Sequence, residues 1–170
     1  MFEDPLKEPP RTGFPADFLW GTATAAMAVE GALGDAVRGE TIWDAFSAAE
    51  DEGFTGPDRG CDHLRRLSED IELMRRLGAG AYRFSVAWAR VFPEGRGRAD
   101  ARGVAWYETL IEALARAGIR PFPTLYYWDL PLALTRRGGW AHRDTALYLS
   151  LLPISEPTRL LSNTYAVFCL

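Results

Sequence analysis

Apolar and polar positions alternate along the chain with two different periods, and the longer period marks two helices. One predicted helix ends at Gly78 and places apolar residues at helical spacing, at Leu64, Leu67, Ile71, Met74 and Leu77. The second ends at Gly118 and repeats the spacing at Val104, Tyr107, Leu110, Ile111 and Leu114. Charged residues cover the opposite face of the first helix, which is typical of a solvated surface.

Three apolar stretches rich in aromatic and β-branched residues predict strands at residues 18–25, 82–88 and 119–127. Each is separated from the next by a helix-like segment, which is the pattern of βαβ units and a parallel sheet. Gly21 in the first strand predicts a close approach of another backbone. This pattern fits a parallel barrel and an open doubly wound sheet equally well, and periodicity does not separate the two.

Two charged residues stand in or beside these apolar strands. Arg83 lies inside the second strand, where an unpaired charge is costly. It is interpreted either as a site residue or as a member of a structural ion pair. Glu30 follows the first strand and leaves the same two alternatives open. His63, beside Asp62, is interpreted as a local hydrogen-bond partner in preference to a metal ligand.

Shorter signals mark the connections between these elements. Residues 41–44 form a capping-box-like start of a helix through Ala49, with Asp44 where Glu is preferred. Gly138 and Gly139 predict a sharp turn before Trp140.

Composition narrows the classes of function. The chain has 170 residues, 48% of them hydrophobic, and a formal net charge of -4 without charge blocks, which gives no case for nucleic acid or an acidic membrane surface. Its two cysteines, Cys61 and Cys169, form neither a disulfide framework nor a zinc motif. We expect no metal or organic cofactor. No secretory signal, membrane span or phosphate-binding loop is found, and a cytoplasmic location is expected.

Several sequence blocks, taken in order, resemble the N-terminal part of family 1 glycoside hydrolases, the β-glucosidase group. The resemblance covers residues 14 to about 146 and rests on Phe14-Pro15, FLWGTATAA (18–26), VEGA (29–32), IWDAF (42–46), Asp62-His63, Glu69-Asp70-Ile71, YRFS (82–85), Ala87-Trp88, TLY (124–126), WDLP (128–131) and GGW (138–140).

This resemblance implies a (β/α)₈ TIM barrel of which the first three strand-helix units are present. It also implies hydrolysis of β-linked glycosides with retention of configuration, which requires two carboxyl groups about 5 Å apart. The family carries these glutamates in Asn-Glu-Pro and Glu-Asn-Gly motifs that this chain lacks, so we expect it to be inactive alone. Glu156 follows Ser155 in a dissimilar segment and is rejected as the acid/base.

The resemblance also assigns roles to residues that are present. Arg83 corresponds to the arginine that contacts the nucleophile, and Trp128 to a tryptophan of the glycone pocket. Ala28 and Tyr127 replace the glutamine and histidine that bind sugar hydroxyls in the family. The expected partner is therefore a β-linked glycoside or oligosaccharide with altered glycone specificity or weak glucosidase activity. A sugar-binding pseudoenzyme of the same fold is the alternative.

The predicted organisation is a leader at residues 1–13, barrel sequence at 14–148 and a dissimilar segment at 149–170. This last segment resembles translated sequencing-adapter DNA, with a divergent natural C terminus as the alternative. The sequence leaves the oligomeric state open.

Overall fold

A three-stranded parallel sheet forms the centre of the structure, a computed structural model that describes residues 13–31, 38–49 and 60–150. The strands are β1 (Gly21–Ala23), β2 (Ala81–Ser85) and β3 (Arg120–Thr124), in the order β1-β2-β3. Ala23 lies beside Arg83 across the first pair, and Arg83 lies beside Phe122 across the second. The parallel strands place their C-terminal ends at one edge of the sheet.

Helices connect the strands in chain order. They are α1 (Ala26–Val29), α2 (Ile42–Ala49), α3 (His63–Arg76), α4 (Trp88–Val91), α5 (Ala101–Arg116), α6 (Leu132–Thr135) and α7 (Arg143–Leu149), with a 3₁₀ helix at Gly139–Ala141. Within the described part of the chain, no helix combines the length and apolar character needed to cross a membrane.

The hydrophobic core lies between β2 and the two long helices. Tyr82 and Phe84 project from β2 and are buried together with Leu110 and Leu114 of α5. On α3, Ile71 and Met74 are buried as their spacing predicts. Burial of these apolar side chains is the main force that holds the helices against the sheet.

Leu77 fits the apolar spacing of α3 but does not belong to the core. The side chain of Leu77 is 58% exposed and that of Leu73, one turn earlier, is 52% exposed. Residues four apart share a helix face, so these two leucines form a stripe directed away from the sheet. Leu77 is the C-cap of α3, and the chain reverses at Gly78 (φ 70°).

The predicted signals at the turns and at Gly21 are confirmed. A Cβ on Gly21 would lie 2.6 Å from the carbonyl oxygen of Ala81, so the close backbone approach requires glycine. Asp44 Oδ2 accepts a hydrogen bond from Thr41 N at 2.7 Å, which is the reciprocal half of a capping box. Gly138 has φ 106° at the turn before the 3₁₀ helix.

The strands are shorter than predicted and span residues 21–23, 81–85 and 120–124 instead of 18–25, 82–88 and 119–127. Residues 1–12, 32–37, 50–59 and 151–170 lie outside the described part, so the predicted organisation of the chain stays a prediction.

Candidate functional site

The C-terminal edge of the sheet brings Arg83 and Tyr127 together. The Arg83 guanidinium lies over the Tyr127 ring, 4.8 Å from its centroid. The Tyr127 ring in turn stacks on Trp128, with centroids 5.3 Å apart and planes 18° apart. A cation on an aromatic face is stabilised by the ring quadrupole. These three side chains therefore form a stack at the strand ends, which we call the edge stack.

The Arg83 guanidinium is not neutralised by an acid. Its Nε atom is buried without a hydrogen-bond partner, and no carboxylate in the described segments forms an ion pair with it. The alternative in which Arg83 belongs to a structural ion pair finds no support in residues 13–31, 38–49 and 60–150. A buried donor of this kind favours an anion brought from elsewhere.

Trp128 presents its indole to solvent at this edge, with 59% of the residue exposed. Its backbone has φ 69°, in the left-handed region that non-glycine residues rarely adopt. The indole Nε1 of Trp43 donates to the Trp128 carbonyl oxygen at 2.8 Å. An exposed aromatic face held in this way is suited to stacking on a flat or apolar ligand face.

Glu30 belongs to a buried network rather than to the exposed edge. Arg90 Nε donates to Glu30 Oε2 at 2.9 Å, and the Tyr107 hydroxyl donates to Glu30 Oε1 at 2.6 Å. The Ala87 amide then donates to the same hydroxyl oxygen at 2.6 Å. Burial raises the pKa of Tyr107 well above its usual value, and the charge of Glu30 adds to this rise. Of the two interpretations of Glu30, the structure supports the ion-pair partner.

A second buried ion pair joins Arg38 and Asp44, 2.8 Å apart at the start of α2. Burial raises the pKa of Asp44, but hydrogen bonds from Arg38 and Thr41 outweigh it, so the pKa lies below its usual value. Neither buried carboxylate is available to a substrate, because each is held by a guanidinium.

Asp129 is the buried acid that sequence reasoning did not single out. It is 1% exposed, and neither carboxyl oxygen has a hydrogen-bond partner in the described part. Burial raises its pKa to about 7, and the charge of Glu30 adds to this rise. The backbone N–H groups of Asp129 and Tyr127 lie near the carboxyl without meeting hydrogen-bond geometry, and together with the charge of Arg38 they act in the opposite direction. The sequence feature that could have indicated its burial is its position between two large apolar residues, Trp128 and Leu130.

The remaining sequence candidates take other positions. Ala28 lies in α1 with an exposed side chain, so no hydrogen bond comes from it to this edge. His63 is buried, and its Nδ1 is hydrogen-bonded to Asp70 at 2.6 Å, which confirms a local partner but identifies Asp70 rather than Asp62. Among the residues described, no cluster of three or more His, Cys, Asp or Glu side chains is arranged to hold a metal ion.

Comparison with known proteins relates the sequence of this chain to one enzyme family. The profile of glycosyl hydrolase family 1 matches residues 11–150. β-Glucosidase A of Acetivibrio thermocellus is 47% identical over 140 residues, which cover 81% of this chain and 31% of the relative. β-Glucosidase A of Thermotoga maritima is 48% identical over 137 residues, which cover 78% and 30%.

Solved structures show the same likeness in three dimensions. The Thermotoga maritima β-glucosidase in complex with azafagomine superposes with a TM-score of 0.81 at 40% identity and covers 91% of this chain and 36% of that chain. The complex of virulence factor SghA with its substrate analog salicin superposes with a TM-score of 0.86 at 39% identity and covers 91% and 35%.

The chain thus spans about a third of the length of these relatives. Its three parallel strands and their helices superpose on part of those enzymes and are part of a (β/α)₈ barrel fold. On the profile match and the identities, the chain belongs to glycosyl hydrolase family 1.

Proposed function

We propose that this chain contributes the N-terminal third of the active site of a retaining β-glycosidase. The observation that carries the proposal is the guanidinium of Arg83, which lies in the middle strand β2 and has no ion-pair partner in the described residues. A carboxylate beside an arginine stays ionised, since the positive charge lowers its pKa. Arg83 is therefore suited to contact a nucleophilic glutamate supplied by a later strand of the barrel.

The substrate class follows from the aromatic part of the edge stack. The exposed Trp128 indole offers a flat apolar face beside the Arg83 position, as sugar rings require. The relatives support the class, because azafagomine and the substrate analog salicin are named as the bound molecules in two of them. The proposed substrate is a β-linked glycoside or oligosaccharide.

Hydrolysis of a glycoside with retention of configuration requires two carboxyl groups about 5 Å apart, one as the acid/base and one as the nucleophile. Glu30 and Asp44 are each held by an arginine, and Asp129 is enclosed, so these three acids are not candidates. The Asn-Glu-Pro and Glu-Asn-Gly motifs are absent from the 170 residues. The chain alone is accordingly proposed to be inactive.

A chimera tests this proposal directly. Residues 13–150 are joined to the C-terminal two thirds of β-glucosidase A of Thermotoga maritima, and an aryl β-glucoside is the substrate. Arg83→Ala is expected to lower kcat/KM by roughly 10²–10³, the order found when one preorganised charge-stabilising group is lost. The matched control is Arg116→Ala, which removes an exposed arginine paired only with exposed Glu112.

Equal activity of the Arg83→Ala and Arg116→Ala chimeras would refute the role of Arg83. Turnover of the glycoside by the unextended chain, abolished by heat, would refute the proposed inactivity.

The pseudoenzyme is a second candidate because Tyr127 and Ala28 alter the site. The Tyr127 ring contacts Arg83 and stacks on Trp128, so it fills space where the family has the imidazole of a histidine. A site that loses such a donor loses discrimination for the hydroxyl it would bind. Restoring Ala28→Gln and Tyr127→His in the chimera is expected to raise activity on aryl β-glucosides, and no gain counts against altered glycone recognition.

A further inference from the structure

The guanidinium of Arg83 lies on the ring of Tyr127, with Cζ of the arginine 4.8 Å from the ring centroid. Nε of Arg83 is buried and has no hydrogen-bond partner among the described residues. A guanidinium is planar and carries its N–H donors at its edge, whereas an aromatic ring contacts its face. The ring therefore satisfies the face of the guanidinium and leaves its donor edge to an anion.

This contact restricts how the Arg83 guanidinium can turn. An arginine side chain has many rotamers, and ordering them when an anion binds costs conformational entropy. A guanidinium that already rests on an aromatic ring keeps its plane and loses less freedom when a carboxylate arrives. The Tyr127 ring is thus suited to preorganise the donors of Arg83.

The hydroxyl of Tyr127 takes no part in this contact. Within residues 13–31, 38–49 and 60–150 it forms no hydrogen bond, so it does not anchor the side chain to its surroundings. The ring is the part of the residue that contacts the guanidinium, and phenylalanine would present the same face.

The segment that carries Tyr127 is itself fixed to α2. The Tyr127 ring stacks on the indole of Trp128, with planes 18° apart. The Trp128 carbonyl accepts a hydrogen bond from Trp43 Nε1 at 2.8 Å. Leu130 is buried, and its carbonyl accepts a hydrogen bond from the Ile42 amide at 3.0 Å. The ring under Arg83 is therefore supported by a stacked neighbour and by two hydrogen bonds from α2.

We propose that Tyr127 is a positioning residue that acts through its ring: it holds the plane of the Arg83 guanidinium and so directs the donor edge toward an incoming carboxylate. The identity of that carboxylate as a nucleophile rests on the proposed function. The hold of the ring on the guanidinium does not, because both groups belong to this chain.

NMR of the full chain with ¹⁵N-labelled arginine tests the contact without sugar or catalysis. Arg83→Lys identifies the Nε–Hε resonance of Arg83, which is followed at mildly acidic pH, where its exchange with water is slow. A proton over an aromatic face is shifted upfield, so the resonance is expected upfield in the unsubstituted chain and in Tyr127→Phe. In Tyr127→Leu, which removes the ring, it is expected to move downfield.

Tyr148→Leu is the matched control, because it makes the same substitution at a half-buried tyrosine whose ring lies under no guanidinium in the described part of the chain. It is expected to leave the Arg83 resonance in place. A random-coil position in the unsubstituted chain overturns the proposal. So does an unchanged position in Tyr127→Leu.

The pH profile of the chimera tests the consequence for catalysis. The acidic limb of kcat/KM reports the pKa of the ionised nucleophile, which a well-placed guanidinium lowers. In Tyr127→Leu this limb is expected to rise by about 0.4–1.5 pH units, the equivalent of one cation–π contact. Tyr127→Phe and Tyr148→Leu are expected to leave it in place, because a loss of folded enzyme lowers the plateau without moving the limb.

The outcomes separate this proposal from the proposed function. If Arg83→Ala inactivates the chimera but the acidic limbs of Tyr127→Leu and Tyr148→Leu coincide, the positioning role is overturned and the proposed function stands. If Arg83→Ala and Arg116→Ala are equally active, the proposed function fails, and the Arg83 resonance of the full chain alone decides whether the ring holds the guanidinium. A limb that rises in Tyr127→Phe as much as in Tyr127→Leu assigns the effect to the hydroxyl and overturns the proposal.

Discussion

Removal of one hydroxyl from the buried Glu30 network should destabilise the chain more than any exposed substitution. In Tyr107→Phe, Glu30 Oε1 loses its 2.6 Å donor and the Ala87 amide loses its 2.6 Å acceptor. Each buried polar group left without a partner costs about 1–3 kcal/mol, so the free energy of unfolding should fall by about 2–6 kcal/mol. The benzyl ring stays, so no cavity contributes to this loss.

Urea unfolding followed by tryptophan fluorescence measures this change. Tyr148→Phe is the matched control, because this half-buried tyrosine packs against the core and its hydroxyl has no hydrogen bond in the described segments. The control should lie within about 0.5 kcal/mol of the unsubstituted chain. Similar losses in Tyr107→Phe and Tyr148→Phe would refute the reasoning, because the cost would then not come from the two orphaned groups.

Three further outcomes follow from buried contacts. Gly103→Ala, normally favourable in a helix, should destabilise by roughly 2 kcal/mol or more in urea unfolding because its Cβ would run into the Arg90 carbonyl; a stabilised variant contradicts this. Burial raises the pKa of Asp129 from 3.8 to about 7, so the folded state keeps this proton to a higher pH than the unfolded chain does. The stability that comes from Asp129 is therefore complete below pH 3.8 and falls by about 4 kcal/mol as the pH rises to 7. Asp129→Asn should remove this pH dependence from the free energy of unfolding measured in urea. The pKa of Asp44 is lowered in the folded state, so its contribution to stability is present above the pKa of the unfolded chain and is lost as the pH falls. At pH 7, Asp44→Asn should lower the free energy of unfolding by about 3 kcal/mol because Arg38 is left buried without its anion, and at low pH it should have little effect.

Local signals predicted the secondary structure and the turns because their causes lie within a few residues. The apolar spacing of α5 brings Tyr107, Leu110 and Leu114 to one face, and these three residues are buried. Gly78 reverses the chain through its own left-handed backbone. Leu77 fits the helical spacing but is exposed, because it is the C-cap of α3 and follows the last residue of the helix.

Only the part of the candidate site that lies within a single strand was predictable from the sequence. Arg83 was identified because a charge inside an apolar strand is anomalous on its own. The sequence left Glu30 as either a site residue or an ion-pair partner, because its partner Arg90 is 60 residues away and no local pattern predicts that contact. The burial of Asp129 was equally hidden, since enclosure depends on α1 and on the segment before α2 folding over it.

The distribution of charge at the strand ends links the fold to the proposed chemistry. Two buried arginines, Arg38 and Arg90, are each neutralised by an acid of this chain, and the third buried acid has a raised pKa. Arg83 alone faces an aromatic ring instead of a carboxylate. A cation–π contact compensates the charge of a guanidinium less completely than an anion does, so a carboxylate placed beside Arg83 would stabilise it further. Below the surface the buried charges of this edge are paired, whereas Arg83 lacks an acid at the position where the proposed function would place an ionised nucleophile.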